Sequence, residues 1–143
     1  MSNYLVVAHQ TANSPDLLDT LLGKAEVDPD AQFVLLVPAT PVEELRMPVE
    51  HDSQTNAEAV ATRAIYALSD GGVRLLRAGI GNASPLLAIQ DEVVRHPDFY
   101  KEVILCTLPV DFSRWLSMDI PAKIEATFQL PVTHVYGWAY TPE

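Results

Sequence analysis

The sequence predicts an α/β three-layer sandwich, in which a five-stranded parallel sheet of order 3-2-1-4-5 carries helices on both faces. Three observations support this. Short, valine-rich runs alternate with segments whose apolar residues recur at helical spacing, the pattern of strand–helix–strand units. Two helical segments open on the same pair, Ser14-Pro15 and Ser84-Pro85, which puts serine at the N-cap and proline at the first helical position. Three strand-like runs are uncharged along their apolar stretch and two are more polar, which separates interior strands from edges.

The first strand is Tyr4 to Ala8, short and uncharged, as a strand buried on both faces must be. The helix after Ser14-Pro15 has Asp16 near its positive end and an inner face of Leu17, Leu18, Leu21, Leu22 and Ala25. Gln32 to Pro38 is a second central strand. From Ala39 to Ser53 the pattern breaks, with Pro41, Pro48 and four acidic residues. So long a connection reads as a lid over a site or as a surface insertion. The next helix, Gln54 to Leu68, presents Ala57, Val60, Ala61, Ala64, Ile65 and Leu68, and stops at Ser69-Asp70-Gly71-Gly72. Val73 to Gly79 carries Arg74 and Arg77 and is read as an edge strand. Gly79 and Gly81 are expected to flank a turn, followed by a helix with Leu86, Leu87, Ile89, Val93 and Val94 inward, ending near His96-Pro97. Glu102 to Thr107 is the third central strand, followed by a polar loop and a helix. Val132 to Tyr136, with Thr133 and His134, is the other edge. Right-handed crossovers then require the order 3-2-1-4-5, with the switch point between strands one and four.

The chain has 143 residues, 48% of them hydrophobic, which suits one domain with a substantial core. A net charge of −10, from 19 acidic residues against 9 lysines and arginines, argues against nucleic acid or an anionic membrane as the main partner. The single cysteine forms no intramolecular disulfide, no secretory leader pattern is present, and no apolar run approaches membrane-spanning length. Cytoplasmic residence is the expectation.

In open α/β sheets ligands bind beyond the carboxyl ends of strands, so the first place to look is Thr107 to Asp119. His9, Gln10 and Thr11 follow strand one and would face Thr107, Ser113 and Arg114 across the switch point, a set that suits a small polar ligand. The same residues can instead satisfy loop backbone groups, and Arg114 can pair with Asp111 or Asp119. Trp115 reads as a hydrophobic anchor for the loop.

The run Gly79-Ile-Gly-Asn-Ala-Ser-Pro-Leu-Leu-Ala-Ile89, the fourth strand, and the close Lys123-Ile-Glu-Ala-Thr-Phe-Gln-Leu-Pro-Val-Thr-His-Val135 resemble the universal stress protein family. The resemblance spans nearly the whole chain and is strongest after Gly79. It implies a Rossmann-like domain that often dimerises and in many members binds ATP at the switch point. The family's phosphate cradle has a glycine after strand four, a second three residues on, and a glycine with Ser or Thr opening the last helix. Those places here hold Thr107, Val110, Met118 and Asp119, and the family's acidic residue after strand one falls at His9. Side chains at glycine positions obstruct the approach of phosphate to backbone amides. Asp119, expected as an N-cap carboxylate, would fill the anion position itself. ATP is therefore expected to bind weakly or not at all, and no cofactor is assigned.

Catalytic and metal signatures are weak. His9, His51, His96 and His134 lack metal-ligand spacing, and Cys106 at the end of an apolar strand reads as a buried, inert thiol. The tail places Tyr136, Trp138 and Tyr140 within five residues beyond an edge strand that lacks charge. Val132, His134, Tyr136, Trp138 and Tyr140 are accordingly expected at a homodimer contact, with folding back of the tail onto its own core as the alternative. The reading is a non-enzymatic, universal-stress-protein-like dimeric binding or regulatory domain. A small nucleotide hydrolase using His9 with Thr107 and Ser113 is the second reading.

Overall fold

The computed structural model describes residues 2–9, 11–39, 52–108 and 119–137. The elements are β1 Ser2–Val7, α1 Pro15–Val27, β2 Ala31–Pro38, α2 Ser53–Asp70, β3 Leu75–Gly81, α3 Pro85–Arg95, β4 Glu102–Thr107, α4 Ile120–Phe128 and β5 Val132–Tyr136. All strand pairs are parallel and the sheet order is β3-β2-β1-β4-β5, as the charge pattern predicts. The expected loop over Ala39 to Ser53 falls mainly outside the described residues. Among those described, no helix is long and apolar enough to cross a membrane.

Alternation along the strands divides the core into two layers. Tyr4, Val6, Ala8, Phe33, Leu35 and Val37 meet α1 and α2 through Leu17, Leu21, Ala57, Ala61, Ala64 and Leu68. Leu5, Val7, Val34, Leu36, Val103 and Leu105 meet α3 and α4 through Ala88, Ile89, Ile120 and Ile124. Four expected inner-face assignments are corrected. Leu22 and Ile65 are 36% and 38% exposed, and α3 turns Leu87 and Val94 to solvent. Leu87 and Val94 stand seven apart, two helical turns along one stripe. The stripe that packs on the sheet instead carries Pro85, Ala88, Ile89 and Glu92.

Glu92 is therefore a carboxylate in a buried position, and its partners explain how. Tyr100 Oη donates to Glu92 Oε1 at 2.5 Å, and the Arg77 guanidinium donates to the same oxygen. Burial pushes the Glu92 carboxyl up, and these two donors outweigh it, holding the group below the usual carboxylate range. Arg77 thus belongs to an internal ion pair on the edge strand. Arg74 precedes β3 and donates to the Pro29 carbonyl at 2.8 Å. The strand begins later than expected, at Leu75, and runs on through Gly79 and Gly81, which do not flank a turn. A Cβ at Gly81 would lie 2.7 Å from the Ala88 Cβ, so glycine there lets α3 approach the sheet.

Candidate functional site

The crevice lies where β1 and β4 end and their crossovers diverge. Pairing between these strands runs as far as Val7 and Leu105. Beyond it, the Thr11 hydroxyl donates to the Cys106 carbonyl at 3.0 Å, tying the loop after β1 to the end of β4. Ser14 Oγ accepts from Leu17 N at 3.2 Å as the α1 cap, and lies 4.0 Å from Cys106 Sγ. The Gly137 amide donates to the Thr107 carbonyl at 2.8 Å. A Cβ at Gly137 would stand 2.6 Å from Ser14 Oγ, so only glycine lets the end of β5 close against the first turn of α1.

His9 is the anomalous residue of this corner. It is 4% exposed, and neither ring nitrogen has a hydrogen-bond partner among the described residues. Burial, and secondarily the Arg63 guanidinium on α2, lower its pKa to about 4, so the ring is neutral at pH 7 with one donor and one acceptor unmatched. Thr107 Oγ1 donates to the Leu108 carbonyl at 2.9 Å and lies 2.7 Å from His134 Nε2. The His134 ring rests on Tyr136, with centroids 4.2 Å apart. Burial lowers the His134 pKa and raises that of Cys106.

His9, Thr11 and Thr107 thus stand at the carboxyl ends of β1 and β4. Gln10, Ser113, Arg114, Val110 and Met118 lie outside the described residues, as do Trp138 and Tyr140 at the expected dimer contact. Asp119 does occupy the N-cap place of α4, but its backbone is left-handed, φ 57°, and its side chain makes no capping bond. The carboxylate therefore does not cap the helix as expected. His134, assigned from sequence to the edge alone, also reaches the site through Thr107. The parallel register Thr107↔Tyr136 places it one strand pair away on the same face, which counting along two aligned strands would have revealed.

No His, Cys, Asp or Glu cluster among the described residues could hold a metal ion. At the opposite end of the sheet a shallow groove of about 410 Å³ is lined by Tyr4, Lys24, Asp28, Lys101 and Glu102. Its charges are matched internally: Lys24 pairs with Glu102 at 2.7 Å and Lys101 with Asp28 at 3.7 Å. One buried polar atom near this groove, Asn3 Oδ1, also lacks a partner among the described residues, against two on His9 in the crevice.

A known structure shares this arrangement of strands and helices. The universal stress protein from Archaeoglobus fulgidus superposes with a TM-score of 0.61 over 94% of this chain and 93% of its own, at 11% sequence identity. The fold is universal-stress-protein-like. No protein family's sequence pattern and no curated protein matches the chain. Within this universal-stress-protein-like fold, the β1/β4 crevice is the switch point of the sheet, where ligands of open α/β domains sit.

Proposed function

We propose that the protein is a universal-stress-protein-like binding and regulatory domain, a non-enzymatic cytoplasmic homodimer that takes a small polar ligand at the β1/β4 switch point. The observation that carries the ligand is His9. A buried imidazole with both nitrogens unpaired is destabilising by about 1–3 kcal/mol for each group left without a partner. Buried polar groups are ordinarily matched, and an exception calls for an explanation, of which a bound ligand is one. Two potential nucleophiles among the described residues are not activated, which supports binding over catalysis: the Ser14 hydroxyl caps α1, and burial holds the Cys106 thiol protonated.

The same corner disfavours ATP. Thr107 puts a branched side chain where a phosphate-binding loop has glycine. The Asp119 carboxylate adds negative charge at the start of α4, the end that would otherwise attract phosphate. Dimerisation through β5 rests on an edge with no Lys, Arg, Asp or Glu between Pro131 and Thr141, ending in Tyr136 at 54% exposure. Native mass spectrometry of the protein purified without denaturation tests the ligand: a bound small molecule is expected, and its loss in His9→Phe. Recovery of only the bare chain under gentle conditions would refute the reading. Calorimetry with Mg-ATP should give a dissociation constant weaker than about 1 µM, or −8 kcal/mol. Submicromolar binding would overturn the exclusion of ATP.

A further inference from the structure

Thr107 is where the crevice and the outer edge of the sheet meet. Its hydroxyl has one hydrogen, which goes to the Leu108 carbonyl at 2.9 Å. The contact of 2.7 Å with His134 therefore requires the imidazole to donate from Nε2, which fixes that tautomer. Strand alternation puts Val132, His134 and Tyr136 on one face of β5, and the His134 ring lies against Tyr136 at 40° between planes. Tyr136 is 54% exposed at the carboxyl end of the edge strand. A continuous line of contacts, Thr107 to His134 to Tyr136, thus runs from the switch point to the solvent edge.

We infer that this line couples occupancy of the switch point to pairing of β5 with a second copy of the chain. The inference rests on the ligand site and the β5 contact proposed above. A ligand group that hydrogen-bonds Thr107 Oγ1 competes with His134 Nε2 for the same oxygen. An imidazole displaced from Thr107 would have to turn, and Tyr136, whose tilted ring lies 4.2 Å away, would have to move with it. Threonine rotor and imidazole ring form a two-state element on which both events act. Reciprocity follows: whatever the ligand does to pairing, pairing does to ligand affinity by the same factor.

The test needs no identified ligand. Sedimentation equilibrium of the full chain compares wild type, Thr107→Val, Thr107→Ser, His134→Phe and the double variant Thr107→Val/His134→Phe. Thr107→Val keeps the branched shape and removes the hydroxyl. It is expected to change the dimer dissociation constant about fivefold, as much as His134→Phe does, with no further change in the double variant. Thr107→Ser keeps the hydroxyl and should behave as wild type. Long-range ¹⁵N spectra should show the His134 ring leaving its Nε2–H state in Thr107→Val, a readout that loss of packing would not produce. A folded Thr107→Val dimer within about twofold of wild type, or effects of the two single variants that add, overturns the inference alone. Equal weakening by Thr107→Ser does the same. A wild-type monomer at about 50 µM overturns the β5 contact and the inference with it. Absence of a co-purified ligand overturns the site reading while leaving the Thr107–His134 coupling measurable.

Discussion

At pH 7 His9 holds a neutral ring where the unfolded chain would hold one that titrates near 6.5. Between pH 6.5 and about 4 the unfolded state binds the extra proton and the folded state does not, so His9 stabilises fully above that window. The contribution is lost as pH falls through it, and the loss amounts to about 3 kcal/mol. Urea unfolding at pH 7.5 and pH 4.5 should show this loss in wild type and its absence in His9→Phe, the difference between the two chains isolating one residue from the general titration of carboxylates. At pH 7.5 His9→Phe should also be more stable by about 1–2 kcal/mol, because two unmatched polar atoms leave the interior. The position of His9 at a strand end was legible in the sequence. Its isolation was not, because a hydrogen bond is decided by atoms distant along the chain. Asp119 shows the converse: residue type marked a cap, and a left-handed backbone turned the carboxylate away from that role.

Among the elements, α4 ends in a residue poorly suited to its conformation. Gln129 caps it at φ 55° while its amide donates to the Glu125 carbonyl. Gln129→Gly should stabilise the fold by about 0.5–1 kcal/mol, measured as an upward shift of the urea midpoint, because glycine takes the left-handed region freely. The clamp between β3 and α3 makes the opposite prediction. Arg77→Met leaves the Glu92 carboxylate buried with Tyr100 and the more distant His96 ring, 3.8 Å away, and should cost about 2 kcal/mol, less than a fully buried pair because the guanidinium is partly solvated. Replacing both partners, Arg77→Met with Glu92→Leu, should recover most of it in the same unfolding measurement. Strand and helix identities were readable from apolar period and from the Ser-Pro starts, both of which cap as expected. Faces were less so. Leu87 and Val94 are apolar enough to suggest burial, while Glu92 took the inward place because Arg77 and Tyr100, on the preceding strand and beyond the helix, donate to it.

For the whole molecule, the strand order could be deduced because only three runs are uncharged and apolar throughout their core, β3 carrying arginine and β5 Thr133 and His134, and right-handed crossovers leave few ways to connect them. A homodimer through β5 should appear in light scattering as twice the chain mass, and a chain ending at Tyr136 should dissociate or aggregate; an unchanged dimer after truncation would exclude the tail from the contact. The other edge carries a different consequence. Both arginines near β3 stay exposed but are engaged, Arg74 by the Pro29 carbonyl and Arg77 by Glu92, which leaves them less free to shield the unpaired backbone of that strand. The net charge of −10, a property of the whole surface, is then expected to be the main repulsion between copies of the molecule at β3. Colloidal protection of this kind disappears near the isoelectric point of about 4.6. A dimer joined at β5, as proposed above, and newly adhesive at β3 would have two sticky ends, and pairing at both would propagate as an open fibre. Turbidity and thioflavin fluorescence should therefore rise near pH 4.6 and stay flat at pH 8, and placing lysine at exposed Leu76 should suppress the rise.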